Sequence, residues 1–209
     1  MSMFIAVGGG SGSGKTFLAE ALKNRLPEEA VILSYDSYYK DQSKLPIEQR
    51  ALINYDDPAV LDEELFISHL LDLKAGRSIE IPQYDFSTHT RKQETLSLSP
   101  APFIIVEGIM VYAIKKPKAY YDYRVYVDAE SDIRLARRIV RDEKERGRTG
   151  DSVVKQYLAT VRPMHKKYVE PTKFYADFIF KNEENDGIDE TQMKQLLAQI
   201  ETLRCKRGL

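Results

Sequence analysis

Phe4-Ile5-Ala6-Val7-Gly8-Gly9-Gly10-Ser11-Gly12-Ser13-Gly14-Lys15-Thr16 decides how the rest of the chain has to be read. Its first four residues are an unbroken apolar run of buried-strand length. Gly9 to Thr16 then fits G-x-x-x-x-G-K-[ST] at every fixed position, and Leu18, Ala21 and Leu22 follow at helical spacing. Glycines allow backbone N–H groups to turn inward around phosphate oxygens, and the helix start adds its positive dipole end. The segment is therefore expected to bind a nucleoside triphosphate through Gly9, Gly10, Ser11, Gly12, Ser13, Gly14, Lys15 and Thr16. Lys15 would reach the β- and γ-phosphates, and the Thr16 hydroxyl would ligate Mg²⁺. A flexible Gly/Ser turn preceding Lys-Thr is the competing reading, and it leaves the strand and helix on either side unexplained.

Further strand-sized runs follow at Val31–Leu33, Phe103–Val106, Tyr123–Val127 and Phe178–Phe180, most of them apolar without alternation, as in parallel strands covered on both faces. Helical patterns separate them: Leu65, Phe66, Leu70 and Leu73 within Asp62–Leu73, and Met193, Leu196, Leu197 and Ile200 near the end. The chain is predicted to be α/β, a P-loop NTPase-type parallel sheet covered by helices, in one domain spanning residues 1–209. Residues 78–98 break the rhythm with Pro82, many Ser and Thr, and alternation across Glu94–Leu98, which predicts an inserted β-hairpin. Lys206–Leu209 are expected to fray.

Composition narrows the function. Lys and Arg number 31 against 32 Asp and Glu, a net charge of -1, which argues against coating nucleic acid or a membrane surface. The single cysteine, Cys205, excludes an intrachain disulfide framework. The start of the chain is too short and uncharged for a signal peptide, and no apolar run is of spanning length, so a cytoplasmic protein is expected.

A triphosphate site does not separate a kinase from a switch, although the guanine-reading N-K-x-D does not occur. Asp36 follows the strand Val31–Leu33, where ligands gather in open α/β sheets. It could orient an acceptor hydroxyl, take its proton and face Mg²⁺, or simply open a turn; position alone does not choose. Glu107 ends the strand Phe103–Val106, where a P-loop protein keeps its second magnesium-supporting carboxylate, here through water, or it merely terminates the strand. Asn54–Pro58 reads as a turn. Gln83–Arg91 interleaves aromatics, a histidine and an arginine that could stack on and hydrogen-bond a flat ring, though a lone hairpin histidine is more often a surface or structural residue than a ligand contact. His69 and His165 read as structural.

Between Arg134 and Arg148 stand seven basic and three acidic residues. Arg134, Arg138 and Arg141 share one helical face, Ile133, Ala136, Ile139 and Val140 the opposite stripe, and Gly147 ends the helix. Residues 131–150 are expected to form a lid whose arginines close on a transferring phosphoryl group. The alternative is a solvated face with helical pairs such as Arg141–Glu145.

Taken together, these segments resemble the uridine/cytidine kinase family, within the wider group holding phosphoribulokinase and bacterial pantothenate kinase. The likeness covers Phe4 to Phe180. It rests on the P-loop, Asp36-Ser37-Tyr38-Tyr39-Lys40, Asn54-Tyr55-Asp56-Asp57-Pro58, Tyr84 to Arg91, Glu107-Gly108-Ile109, Arg137 to Asp142, Glu145-Arg146-Gly147-Arg148 and Pro171 to Asp177. The resemblance implies phosphorylation of the 5′-hydroxyl of uridine and cytidine by ATP, with GTP also open as donor, and with Mg²⁺. It implies Asp36 as base, Asp56 and Arg138 on the ribose hydroxyls, and Tyr84 and His89 on the pyrimidine edge. Arg148 and Gln156 would complete nucleoside binding, with Arg141 and Arg146 on the phosphates. It further implies a homotetramer in pyrimidine salvage, often restrained by CTP or UTP. Asp57 stands where the family usually has His, and Tyr55 where it has Phe. The extra charge is expected to raise the pKa of Asp56 by repulsion. Residues Asn182–Asp186, where adenine contacts would fall, match too loosely to assign.

Rival readings are a kinase of another small hydroxyl compound, such as pantothenate or a sugar phosphate, and a nucleotide-binding regulator without turnover. Asp56, Asp57, Asp62, Glu63 and Glu64 make the acceptor segment acidic, which suits a neutral substrate better than a phosphorylated one.

Overall fold

Uninterrupted apolar runs become interior strands when helices cover both sheet faces. The computed structural model describes residues 2–50, 52–114, 119–183 and 187–208. Its strands are β1 (Met3–Gly9), β2 (Ala30–Ser34), β3 (Ile79–Asp85), β4 (Thr90–Leu98), β5 (Phe103–Glu107), β6 (Tyr123–Asp128) and β7 (Phe178–Lys181). Five of them form one wholly parallel sheet in the order β2-β5-β1-β6-β7. Its helices are α1 (Lys15–Lys23), α2 (Glu63–Lys74), α3 (Ser131–Arg146), α4 (Gly150–Gln156) and α5 (Glu190–Arg207). No helix among the described residues is long and apolar enough to cross a membrane.

Strand pleating divides the apolar runs between two cores. Met3, Ile5 and Val7 point to one face with Phe103 and Ile105, against Leu18 and Leu22 of α1 and Met193, Leu196 and Ile200 of α5. Phe4, Ala6, Ile104 and Val106 point to the other, against Phe66, Leu70 and Leu73 of α2. The register sets Val7 beside Glu107 and Ser34 beside Glu107, so the carboxyl ends of β1, β2 and β5 open on one place.

The strands β3 and β4 pair antiparallel as a separate ribbon, with Ile79 and Ile81 tucked into the second core and β4 facing outward. Beyond α4 the chain stays helical through two widened turns, Tyr157–Val161 and His165–Val169. Pro163 lies between them; it has no N–H to donate and crowds the carbonyl of Ala159, which loosens the regular ladder.

Three sequence expectations change. The carboxyl end does not fray as read: α5 runs to Arg207 and closes on Gly208, with Arg204 paired to Glu28 and Arg207 to Asp122. Leu209 lies outside the described residues. The acidic run after Asp56 is mostly capping, since Asp62 accepts from Leu65 N at 3.2 Å and pairs with Arg91 at 3.1 Å. Helix α3, finally, buries Arg134, Arg138 and Asp142, while Val140 of the expected apolar stripe is 52% exposed. Its charged face turns inward because Arg134 donates to Ala129 O, Arg138 to Ser11 Oγ and Gln156 Oε1, and the buried Asp142 carboxylate faces the arginines there.

Candidate functional site

The P-loop and α3 interlock at the backbone. Gly12 has φ +78, and a Cβ there would stand 2.3 Å from the Arg134 carbonyl oxygen. Only glycine meets both conditions. Asn182 Nδ2 donates to Ser13 O at 2.8 Å, holding the loop from the far side. Lys15 is 7% exposed and folds back to donate to Gly10 O at 3.2 Å. Burial lowers its pKa, opposed by the charges of Glu107 and Asp36.

Glu107 gathers the neighbouring hydroxyls. Its carboxylate accepts from Thr16 Oγ1 at 3.4 Å and from Ser34 Oγ at 2.6 Å. Burial raises its pKa, and the charge of Asp36 raises it further, against Lys15 and the two hydroxyl donors. Two carboxylates and one hydroxyl thus converge where like charges repel, a donor set suited to a hard cation whose remaining ligands are water and phosphate oxygens. The chemistry of this donor set, Thr16, Asp36 and Glu107, fits Mg²⁺.

From this end a cavity of about 370 Å³ runs between α3 and the β3–β4 ribbon. Asp56, 7% exposed, lies in its wall, with its backbone N–H donating to Asn54 Oδ1 at 3.1 Å and its carboxylate accepting from Thr160 Oγ1 at 3.4 Å. Its pKa is raised, first by burial, with Arg138 opposing. Asp57 is not among the causes: its side chain turns away to cap the following turn, accepting from Ala59 N at 2.8 Å. The expected repulsion is replaced by desolvation.

Aromatic rings close the far end. Tyr55 stacks on His89 with centroids 4.4 Å apart and planes at 10°, while Tyr84 tilts on Tyr39 at 5.1 Å and meets Phe86 edge-on at 5.2 Å. His89 holds φ +55, the one positive φ outside glycine among the described residues. His89 Nδ1 is buried without a hydrogen-bond partner, and the buried Tyr55 and Tyr84 hydroxyls have only each other to interact with. Burial lowers the His89 pKa, and Arg146 and Arg148 lower it further. The neutral ring so favoured presents one donor and one acceptor.

The opposite wall is arginine. Arg138 spans donor and acceptor ends, donating to Ser11 Oγ at 2.9 Å and Gln156 Oε1 at 2.9 Å. Arg148 also donates to Gln156, and to Ser152 O at 3.0 Å. Arg146 lies over the Phe86 ring at 4.8 Å, and burial lowers its pKa, with Arg141 adding to the effect.

The structure thus brings Ser11, Lys15, Thr16, Asp36, Asp56, Tyr84, His89, Glu107, Arg138, Arg141, Arg146, Arg148 and Gln156 to one cavity, while Gly9, Gly10, Gly12, Ser13 and Gly14 are not in its lining. It adds Tyr39, Tyr55 and Phe86 to the wall. It also adds Asp142, fully buried among the arginines; its spacing, four residues from both Arg138 and Arg146, is the signal that marks it. The Arg141–Glu145 pairing is not what holds this face; Arg141 pairs with Asp142 at 2.7 Å. His69 has a structural partner, the Tyr38 hydroxyl at 2.8 Å. His165 packs its ring where a Gly10 Cβ would stand, 3.0 Å away, and burial holds its pKa down at about 4.

Residues 4–188 match the model of the Phosphoribulokinase / Uridine kinase family. A uridine kinase of Brevibacillus brevis is 49% identical over 178 residues, 85% of this chain and 83% of that one. A uridine kinase of Staphylococcus haemolyticus is 44% identical over 204 residues, 97% of each chain. Among solved structures, phosphoribulokinase from Rhodobacter spheroides shares the fold at 13% identity, with a TM-score of 0.65 over 86% of this chain and 70% of that one. A family match that spans most of the chain, together with these relatives, makes the protein a P-loop kinase that belongs to the phosphoribulokinase/uridine kinase family.

Proposed function

We propose that the protein is a uridine/cytidine kinase, moving the γ-phosphoryl of ATP to the 5′-hydroxyl of uridine or cytidine to give UMP or CMP. The observation that carries this reading is a single cavity with opposite chemistry at its ends. Lys15 and Thr16 stand at one end, the arginines run along one wall, and the other end is a slot of rings in which His89 Nδ1 is buried without a partner and the Tyr55 and Tyr84 hydroxyls have only each other. Buried polar groups left without partners are costly, and a flat heterocycle with a polar edge would satisfy them while stacking on the rings. Relatives named uridine kinase at 44% and 49% identity support the same acceptor.

In this reading Asp36 accepts the 5′-hydroxyl proton as that oxygen attacks the γ-phosphorus. The bond from phosphorus to the β–γ bridging oxygen breaks, and its electron pair leaves with ADP. Asp56 and Arg138 hold the ribose hydroxyls, Tyr84 and His89 meet the pyrimidine edge, and Arg148 and Gln156 complete the nucleoside site. Gly9 to Thr16 cradle the triphosphate, while Lys15, Arg141 and Arg146 offset charge on the transferring group, so most of the rate comes from positioning and electrostatics. Mg²⁺, held through Thr16, Asp36 and Glu107, supplies Lewis-acid neutralisation of the phosphate oxygens. Residues 131–150 act as the lid. GTP is the other donor to test; of the stretch Asn182–Asp186, residues 184–186 lie outside the described residues. The working assembly is a cytoplasmic homotetramer in pyrimidine salvage, to be checked by analytical ultracentrifugation.

A transfer panel with uridine, cytidine, purine nucleosides, pantothenate and ribulose 5-phosphate, with Lys15→Ala as blank, tests the reading. Product is expected from the two pyrimidine nucleosides. None from either would overturn it.

A further inference from the structure

Four guanidinium groups surround one carboxylate in the wall of the cavity. Asp142 has 0% exposure; its oxygens lie 2.7 Å from Arg141 Nη2, 3.5 Å from Arg148 Nη1, 3.6 Å from Arg138 Nε and 3.7 Å from Arg146 Nε. The four arginines are not equivalent. Arg138 is also tied to Ser11 and Gln156, and Arg148 to Gln156 and the Ser152 carbonyl. Arg141 has Asp142 as its hydrogen-bond partner, through both Nε at 3.0 Å and Nη2. Arg146 has the same carboxylate and the face of Phe86. Arg141 and Arg146 line the cavity, and the Arg141 charge is felt at Lys15. One buried anion thus holds two arginines that are anchored elsewhere and two that are free to turn toward a ligand.

We propose that Asp142 is a positioning residue that stands in for phosphate: in the empty enzyme it holds Arg141 and Arg146 at the cavity wall, and it yields them to the entering polyphosphate while Arg138 and Arg148 stay fixed. An unopposed cluster of like charges would repel itself apart, and a fork already paired with a carboxylate is oriented for phosphate oxygens of similar geometry. The anion that preorganises the arginines also competes for them. Its loss therefore tightens ground-state binding of a polyphosphate and slows transfer, because the arginines are no longer indexed to the transition state.

The inference rests on the kinase reading for its effect on turnover, but its binding arm needs no acceptor. In Asp142→Asn, inorganic tripolyphosphate measured calorimetrically at low salt is expected to bind about tenfold tighter, while kcat for the nucleoside falls on the order of tenfold or more. A residue that only supports packing would lower the melting temperature and weaken tripolyphosphate; unchanged or weaker binding in a folded variant overturns the proposal. If that variant does not fold, the wild-type enzyme decides through its arginine Nε–Hε NMR signals. Saturating tripolyphosphate should shift those of Arg141 and Arg146 and leave those of Arg138 and Arg148 nearly in place. An unmoved Arg141 signal overturns the proposal. Failure of the nucleoside panel with an intact tripolyphosphate response would remove the acceptor assignment and leave the hand-over standing.

Discussion

The two walls that face the phosphate end of the cavity are built by different means. The P-loop is a backbone device: Lys15 is held by a main-chain carbonyl, and the loop's shape is set by glycines pressed against α3. The arginine wall is a side-chain device, whose charges converge on Asp142. A backbone cradle is rigid before any ligand arrives; long side chains around one anion can turn without moving the backbone. The enzyme thus pairs a fixed surface for binding phosphate with an adjustable one for following its charge.

The sharpest way to test this division begins with the chemistry between the walls. Asp36→Asn should lower kcat by about 10²–10⁴-fold, the range for a lost general base, with little change in melting temperature. Asp36 also touches the fixed wall electrostatically, since its charge raises the Glu107 pKa. Full turnover in a folded Asp36→Asn would remove Asp36 from the mechanism.

Gly12→Ala attacks the join between the walls. The new Cβ would collide with the Arg134 carbonyl, a backbone atom that cannot swing aside. Turnover should drop by about a hundredfold, the scale of an ångström-sized misplacement, and the melting temperature should fall with it. Unchanged kinetics would mean that the loop and α3 do not depend on each other.

Titration separates two groups of the fixed wall in sign. The folded pKa of Glu107 is raised, so the native state holds its proton where the unfolded chain has released it. Stability of the ligand-free protein therefore declines as pH rises through the window just above 4.5, and Glu107→Gln should flatten that decline. His165, behind the P-loop, has its pKa lowered from 6.5 to about 4 by burial, then by Arg134 and Lys15, with Asp128 opposing. Between those values the unfolded chain binds the proton and the native state does not, so this group makes stability rise with pH. Its share is on the order of 2 kcal/mol after allowing for its partial exposure. Melting curves of wild type, Glu107→Gln and His165→Phe from pH 4 to 7 should show the two slopes removed separately. Parallel curves for all three would show that neither group titrates as its surroundings dictate.

How much of this was legible in the sequence follows the same division. The P-loop and the parallel strands could be read because backbone requirements write themselves as glycine spacing and as continuous apolar runs, as at Phe4–Val7 and Phe103–Val106. The arginine wall was legible as a face but not in its sense. Periodicity shows that Arg134, Arg138 and Arg141 share a side, yet hydrophobicity assigns the burial to Ile133 and Val140, and the structure buries the arginines instead. What reverses it is a pair of long-range partners, Ser11 and Gln156, which no local pattern announces. Asp57 teaches the complementary lesson: adjacency to Asp56 in sequence says nothing about direction, and the two carboxylates point apart.

Gly147→Ala has the smallest expected effect and bears most directly on whether the arginine wall moves. Gly147 closes α3 with φ +61, as Gly12 is also left-handed, but no atom lies within 4 Å of where its Cβ would stand. The substitution therefore carries only the backbone penalty of the left-handed region, about 1–2 kcal/mol, and no collision. If the arginines swing as side chains about Asp142, the helix need not bend here, and kcat should stay within about threefold of wild type while the melting temperature drops by a few degrees. If closure instead turns on the backbone between α3 and α4, stiffening Gly147 should slow turnover nearly as much as Gly12→Ala does. Stopped-flow measurement of nucleotide binding beside steady-state kcat distinguishes the cases, because a backbone hinge changes the rate of closure and a side-chain hand-over does not.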